Sequence, residues 1–135
     1  MKVLSTSMHA KIDYIAGIIF FASPWIFGFT ESVPATWTVI AVAATALTMS
    51  LFTDYEGGIV RSIPMWAHLI VDLVSGALLA ASPWLFGFAE QVYLPHLVMG
   101  LFEVSVGLLT SEQARGQNTD AVVDPQADGV NGSTY

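Results

Sequence analysis

A chain of 135 residues with 54% hydrophobic and only 11% charged residues is unlike an ordinary soluble domain, where about 25% of residues are charged. Four basic residues make no phosphate-binding stripe, which argues against nucleic acid as a partner. With no cysteine, disulfides, thiolate metal sites and thiol redox chemistry are excluded.

The first apolar segment covers residues 12–29. Lys2 precedes it, as in a signal peptide, but the run contains Asp13 and offers no small-x-small cleavage site, so it reads as a retained span. The second, 35–52, is rich in small residues: Ala41, Ala44, Thr45 and Thr48 lie on adjoining faces and suit close helix packing or self-association. The third covers 68–88 and the fourth 94–109. Each is long enough, or nearly so, to cross a hydrocarbon layer of roughly 30 Å as a helix. The predicted fold is all-α, a polytopic membrane protein with four transmembrane helices. Beyond residue 110 the chain is polar and aperiodic, and this tail is expected to be mobile. It holds Glu112, Asp120, Asp124 and Asp128, a large part of the net charge of −7.

Lys2 and Lys11 flank the start of the first span, Arg61 lies between the second and third, and Arg115 follows the fourth. The opposite connections carry Glu31 and Glu90 and no basic residue. The positive-inside rule then places both termini in the cytoplasm.

The octapeptide ASPWIFGF at 22–29 returns as ASPWLFGF at 81–88, a shift of 59. The same shift pairs His9 with His68, Asp13 with Asp72, Gly17 with Gly76 and Glu31 with Glu90. Because it contains two spans, the halves keep one orientation. The organisation is two parallel-related two-helix repeats, 1–59 and 60–110, with the polar tail at 111–135.

Ser23-Pro24-Trp25 and Ser82-Pro83-Trp84 each stand near the end of a repeat's first span and lead into Phe-Gly-Phe. On these residues the chain resembles the SPW-repeat family of prokaryotic integral membrane proteins, over about residues 7–110. The resemblance implies two spans per repeat and a bacterial or archaeal cell membrane; it implies no activity, substrate or catalytic residue. Physically, Pro24 and Pro83 cannot donate to the carbonyls of Phe20 and Leu79, so the helix is expected to kink or stop. One arrangement has Ser23 and Ser82 capping a new short helix with proline at its first position. Trp25 and Trp84 then suit headgroup depth, and Gly28 and Gly87 a tight turn. A structural corner explains the motif more simply than a ligand site does.

Candidate polar sites follow. His9 and Asp13 share a helix face, as do His68 and Asp72, and Gly17 and Gly76 continue those faces. The glycines predict close packing of the first helices of the two repeats. Convergence of the four polar side chains would make a proton relay or a metal site, whereas interfacial hydrogen bonding is the plainer expectation. Two histidines and two carboxylates suit zinc in kind, but spacing alone does not bring them together, and no metal or cofactor is assigned. In the fourth span His96, Gly100, Glu103 and Gly107 form one stripe. A charge at Glu103 costs several kcal/mol in an apolar span, so it should face the interior, find a partner or be protonated.

No nucleophile motif, phosphate loop, HExxH or cofactor fingerprint is present, and GGIVRS at Gly57 reads as a loop, so no enzyme is expected. The leading expectation is a structural or partner-binding protein of the bilayer, as a homo-oligomer or with another membrane protein. The alternatives are proton or cation conduction through Glu103 and the His/Asp pairs, and binding of a quinone or lipid between the repeats beneath the tryptophans.

Overall fold

The computed structural model describes residues 3–110. Four helices follow in order: α1 (Thr6–Ile26), α2 (Val33–Phe52), α3 (Met65–Leu85) and α4 (Leu94–Leu109). The tail, Lys2 and Arg115 lie outside the described residues. By length and composition α2 and α3 are apolar enough to cross a membrane; α1 carries Lys11 and Asp13 in its first half, and α4 is a shorter apolar helix of 16 residues.

Ser5 caps α1, accepting from the Met8 N–H, so the helix starts a turn and a half before the apolar run that marks it in the sequence. Its other end is set by the repeated motif. Helix α1 continues through Pro24, and α3 through Pro83. The serines do not cap a new helix, contrary to the sequence expectation. Ser23 Oγ donates to the Phe20 carbonyl and Ser82 Oγ to the Leu79 carbonyl, both at 2.7 Å. These are the carbonyls that the prolines leave without a backbone donor. A buried carbonyl left unpaired costs about 1–3 kcal/mol, which the preceding hydroxyl avoids.

Each helix ends two residues after its proline, and a glycine follows four residues after it. Gly28 and Gly87 take φ of 69° and 72°, and the N–H groups of Phe29 and Phe88 bond the carbonyls of Pro24 and Pro83 at 2.9 Å. This 6→1 bond across a left-handed glycine is a Schellman ending. Phe29 and Phe88 are thereby driven into the core beside Phe20, Val39, Val42, Leu79 and Met99. Trp25 and Trp84 stay on the outside. Ser-Pro-Trp-x-Phe-Gly-Phe is thus a complete instruction for ending a helix and returning the chain.

Packing is strongest within each repeat, α1 on α2 and α3 on α4, and the repeats meet mainly through α2 and α3. Gly17 and Gly76 do not bring α1 against α3, as the sequence led us to expect. A Cβ at Gly17 would meet the Leu47 side chain of α2; one at Gly76 would meet the Gly100 carbonyl and Val104 backbone of α4. Opposite the prolines, Val3 and Leu4 N–H groups share the Leu109 carbonyl, and Ser62 and Ile63 share that of Phe52. Each repeat's leading segment is therefore tied to the other α-helical exit at that end, which preserves the pseudo-twofold relation.

The distribution of polarity is inverted relative to a soluble domain. Ile15, Ile18, Trp25, Trp37, Val74, Trp84, Val98 and Leu101 are exposed, while His9, His68, His96, Asp72, Glu103, Ser50 and Thr53 are buried. Such an extensive apolar exterior suits contact with lipid or protein rather than water.

Candidate functional site

The four residues paired by the repeat do converge. At the end of the bundle away from the prolines, His9 Nε2 and His68 Nε2 stand 3.2 Å apart. Asp13 Oδ2 lies 3.3 Å from the first and 3.2 Å from the second; Asp72 Oδ2 is 3.1 Å from each. Helical spacing places each histidine one turn from its aspartate, and the pseudo-twofold places one pair against the other. Both imidazoles are fully buried, and the Asp13 side chain is 10% accessible.

Sequence reading missed the residues that aim the rings. His68 Nδ1 is 2.7 Å from Thr53 Oγ1, and His9 Nδ1 is 2.7 Å from Thr110 Oγ1. Each threonine hydroxyl also donates to a backbone carbonyl one turn back, Met49 for Thr53 and Val106 for Thr110, again at 2.7 Å. A hydroxyl has one proton, so each threonine accepts from its histidine, and Nδ1 carries the hydrogen. The network therefore assigns the Nδ1–H tautomer to a neutral ring, and Nε2 faces the cluster.

Thr53 and Thr110 stand 57 positions apart, whereas the histidines stand 59 apart. The second helices of the two repeats are thus in register at 57: α4, at 16 residues, is four shorter than α2, and the connection before it is two residues longer. In that register Leu47 corresponds to Val104, which agrees with their places against Gly17 and Gly76. Glu103 corresponds to Ala46, not to the Ala44 that the shift of 59 indicates, and His96 corresponds to Val39.

The two aspartates are supported differently. Asp13 Oδ2 accepts from Ser50 Oγ at 3.1 Å and from the Tyr55 hydroxyl at 3.3 Å. Burial raises the Tyr55 phenol well above its usual range, which keeps it a donor. Gly107 occupies the place of Ser50 in the second repeat and supplies no side-chain donor to Asp72. The loop after α2 is held on this cluster by Thr6 Oγ1 to Glu56 Oε2 at 2.7 Å and Tyr14 to the Gly57 carbonyl at 2.9 Å.

Glu103 and His96 face inward as their stripe predicts, but they do not join the four-residue cluster. Ser75 Oγ lies 2.7 Å from both Glu103 Oε1 and the Val71 carbonyl; among the described residues Glu103 Oε2 is buried with no hydrogen-bond partner. A cavity of about 20 Å³ lies beside it, lined by Asp13, Gly17, Ala46, Asp72 and Glu103. One water molecule needs roughly 10–15 Å³, so the space fits one between these carboxylates. His96 is at the opposite end of the bundle. Its Nε2 donates to the Ala35 carbonyl at 2.9 Å, and its ring lies between Phe29 and Phe88, at centroid distances of 5.2 and 4.9 Å. It ties α4 to α2 across the repeats. An apolar groove of about 300 Å³ runs between α1 and α4, lined by Ile12, Ile15, Ile19, Val98 and Phe102, and does not include Trp25 or Trp84.

Fold and site together define a class: a duplicated helical hairpin with apolar exterior and a buried cluster shared between its halves. The SPW repeat domain model matches residues 7–110, and the chain belongs to the SPW-repeat family. No curated protein and no solved structure matches it.

Proposed function

We propose that this chain is a four-span protein of a prokaryotic cell membrane, with both termini cytoplasmic, that serves as a structural or partner-binding unit. The observation that carries this reading is the inverted polarity: apolar side chains cover the outside and the ionisable ones meet on the inside. In lipid the hydrophobic effect does not press helices together, so polar contacts between them take a larger share. The His9, Asp13, His68 and Asp72 cluster is then the clamp that joins the two hairpins. Ala44, Thr45 and Thr48 form an exposed small-residue face on α2, suited to a second copy or another membrane protein.

Proton or cation handling is the second reading, favoured by one observation: the unpaired Glu103 Oε2 beside a cavity that it shares with Asp13 and Asp72. Against conduction through a single copy stands the apolar layer of Phe20, Phe29, Leu79, Phe88 and Met99 between that cavity and the motif end.

Proteoliposomes under an imposed pH gradient and potential separate the readings. The scaffold reading expects flux no greater than in empty vesicles. Flux in wild type that disappears in Glu103→Gln, with helicity and assembly intact, would replace it by conduction. Since the chain has no cysteine, single cysteines at Glu31 and Ser62 report topology with an impermeant maleimide; they are expected to label from opposite sides.

A further inference from the structure

We propose that His9, Asp13, His68 and Asp72 form a binding site for one tetrahedral divalent ion of the zinc class, with Nε2 and Oδ2 as the ligand atoms. The two halves of the chain would each supply one nitrogen and one oxygen.

Three observations carry this. The first is the donor set and its spacing. A tetrahedral zinc ion about 2.0 Å from each ligand holds those ligands about 3.3 Å apart. The Nε2–Nε2 distance is 3.2 Å and the four Nε2–Oδ2 distances are 3.1–3.3 Å. Five of the six edges thus match the tetrahedron, and the sixth, between the two carboxylate oxygens, is no longer than 4.8 Å.

The second is the direction of the lone pairs. Thr53 and Thr110 spend their own protons on backbone carbonyls and so hold Nδ1–H on both rings. Neutral imidazoles then turn two Nε2 lone pairs towards two carboxylate oxygens, four acceptors with no donor among them. A cation at the centre satisfies all four. Hydrogen-bonded Nδ1 with Nε2 on the metal is the usual outer-shell device for ligating histidine, and Ser50 and Tyr55 hold Asp13 in the same way.

The third is charge and contact length. One divalent cation with two carboxylates and two neutral rings has zero net charge, as an apolar surrounding demands. Two imidazolium–aspartate pairs would also be neutral. Those pairs, however, shorten their N–H···O contacts to about 2.7–2.9 Å and give each proton one oxygen. Here each Nε2 is nearly equidistant from both oxygens, at distances longer than that. The 10% accessible Asp13 side chain, on the wall of the cavity beside Glu103, gives an ion its approach.

The site does not depend on the scaffold reading, since a folded, metal-free protein in the bilayer would leave that reading standing. The test uses the full chain in detergent without a polyhistidine tag. Loaded with Zn²⁺ and passed through gel filtration, it is expected to retain one ion per chain and to melt at a higher temperature than the chelated protein. Zinc absorption spectroscopy should report two imidazoles and two oxygens, and Co²⁺ should give the intense visible bands of a four-coordinate site. Thr53→Val and Thr110→Val keep every ligand and release the rings; each is expected to weaken Zn²⁺ binding by about 10–100-fold. A chain that retains far less than one Zn²⁺, or a zinc spectrum without imidazole, overturns the site. So does a Tm equal with and without zinc in wild type, which leaves the cluster as ion pairs alone.

Discussion

The two repeats share a backbone plan and differ in what their second helices supply. At the cluster they are near copies: His9 and His68, Asp13 and Asp72, and Thr110 and Thr53 make the same bonds across the pseudo-twofold. One helical turn away the copies part. Helix α2 offers Ser50 to Asp13 and the apolar Ala46; α4 offers Gly107 in place of the serine and Glu103 in place of the alanine. The shared residues are those that join the hairpins, and they work only in pairs. Ser50 and Glu103 each bond within a single repeat, to Asp13 and to Ser75, so a change at either needs no answer in the other copy. That difference separates the clamp from whatever is particular to the second repeat.

The largest effects should come from the clamp and should be alike in both copies. His9→Ala and His68→Ala each remove a ring that, as imidazolium or as zinc ligand, offsets two buried carboxylates. Each is expected to lose about 3–5 kcal/mol of stability, read by thermal or denaturant unfolding in detergent. Unequal losses would break the symmetry argued here.

Glycine packing should be unequal instead. A Cβ at Gly100 meets the Ala80 N–H and Gly76 carbonyl, and one at Gly76 meets α4 backbone, so both Ala variants force α3 and α4 apart. Each should cost about 1–3 kcal/mol by unfolding. At Gly17 the neighbour is the flexible Leu47 side chain, and the gain in helix propensity of about 1 kcal/mol offsets the crowding, so Gly17→Ala should be near neutral.

Thr53→Val and Thr110→Val remove the acceptor for a buried Nδ1–H at nearly constant volume. Equal losses of about 1–3 kcal/mol in the same assay are expected. Ser50→Ala removes one of two hydroxyl donors to Asp13 and should cost about 1 kcal/mol. Against Gly107→Ser, which gives Asp72 a hydroxyl neighbour, it tests whether the repeats can be made alike.

Much of this was legible from residues. Apolar runs located all four helices, and both limits of α4, at Leu94 and Leu109, and the end of α2 at Phe52 agreed. The other limits moved because hydropathy does not see the Ser5 cap or the left-handed Gly28 and Gly87 that stop α1 and α3. The shared faces of His9 with Asp13 and His68 with Asp72 follow from helical spacing, and the inward stripe of His96 and Glu103 does too. Their partners were not legible, because periodicity gives a face and not what it meets. Gly17 and Gly76 were read towards the wrong neighbours for that reason. Thr53 and Thr110 left a usable signal, a threonine closing the second helix of each repeat. The two-residue difference hid it, since a shift of 59 does not pair them.

The central claim is that the repeats are joined through the His/Asp cluster, and a double-mutant cycle tests it most directly. His9 in the first repeat and Asp72 in the second are 3.1 Å apart. Unfolding of His9→Ala, Asp72→Ala and the double variant should show coupling of about 1–3 kcal/mol, as expected for residues in one network. Additive losses, within about 0.3–0.5 kcal/mol, would mean that the hairpins are held together elsewhere.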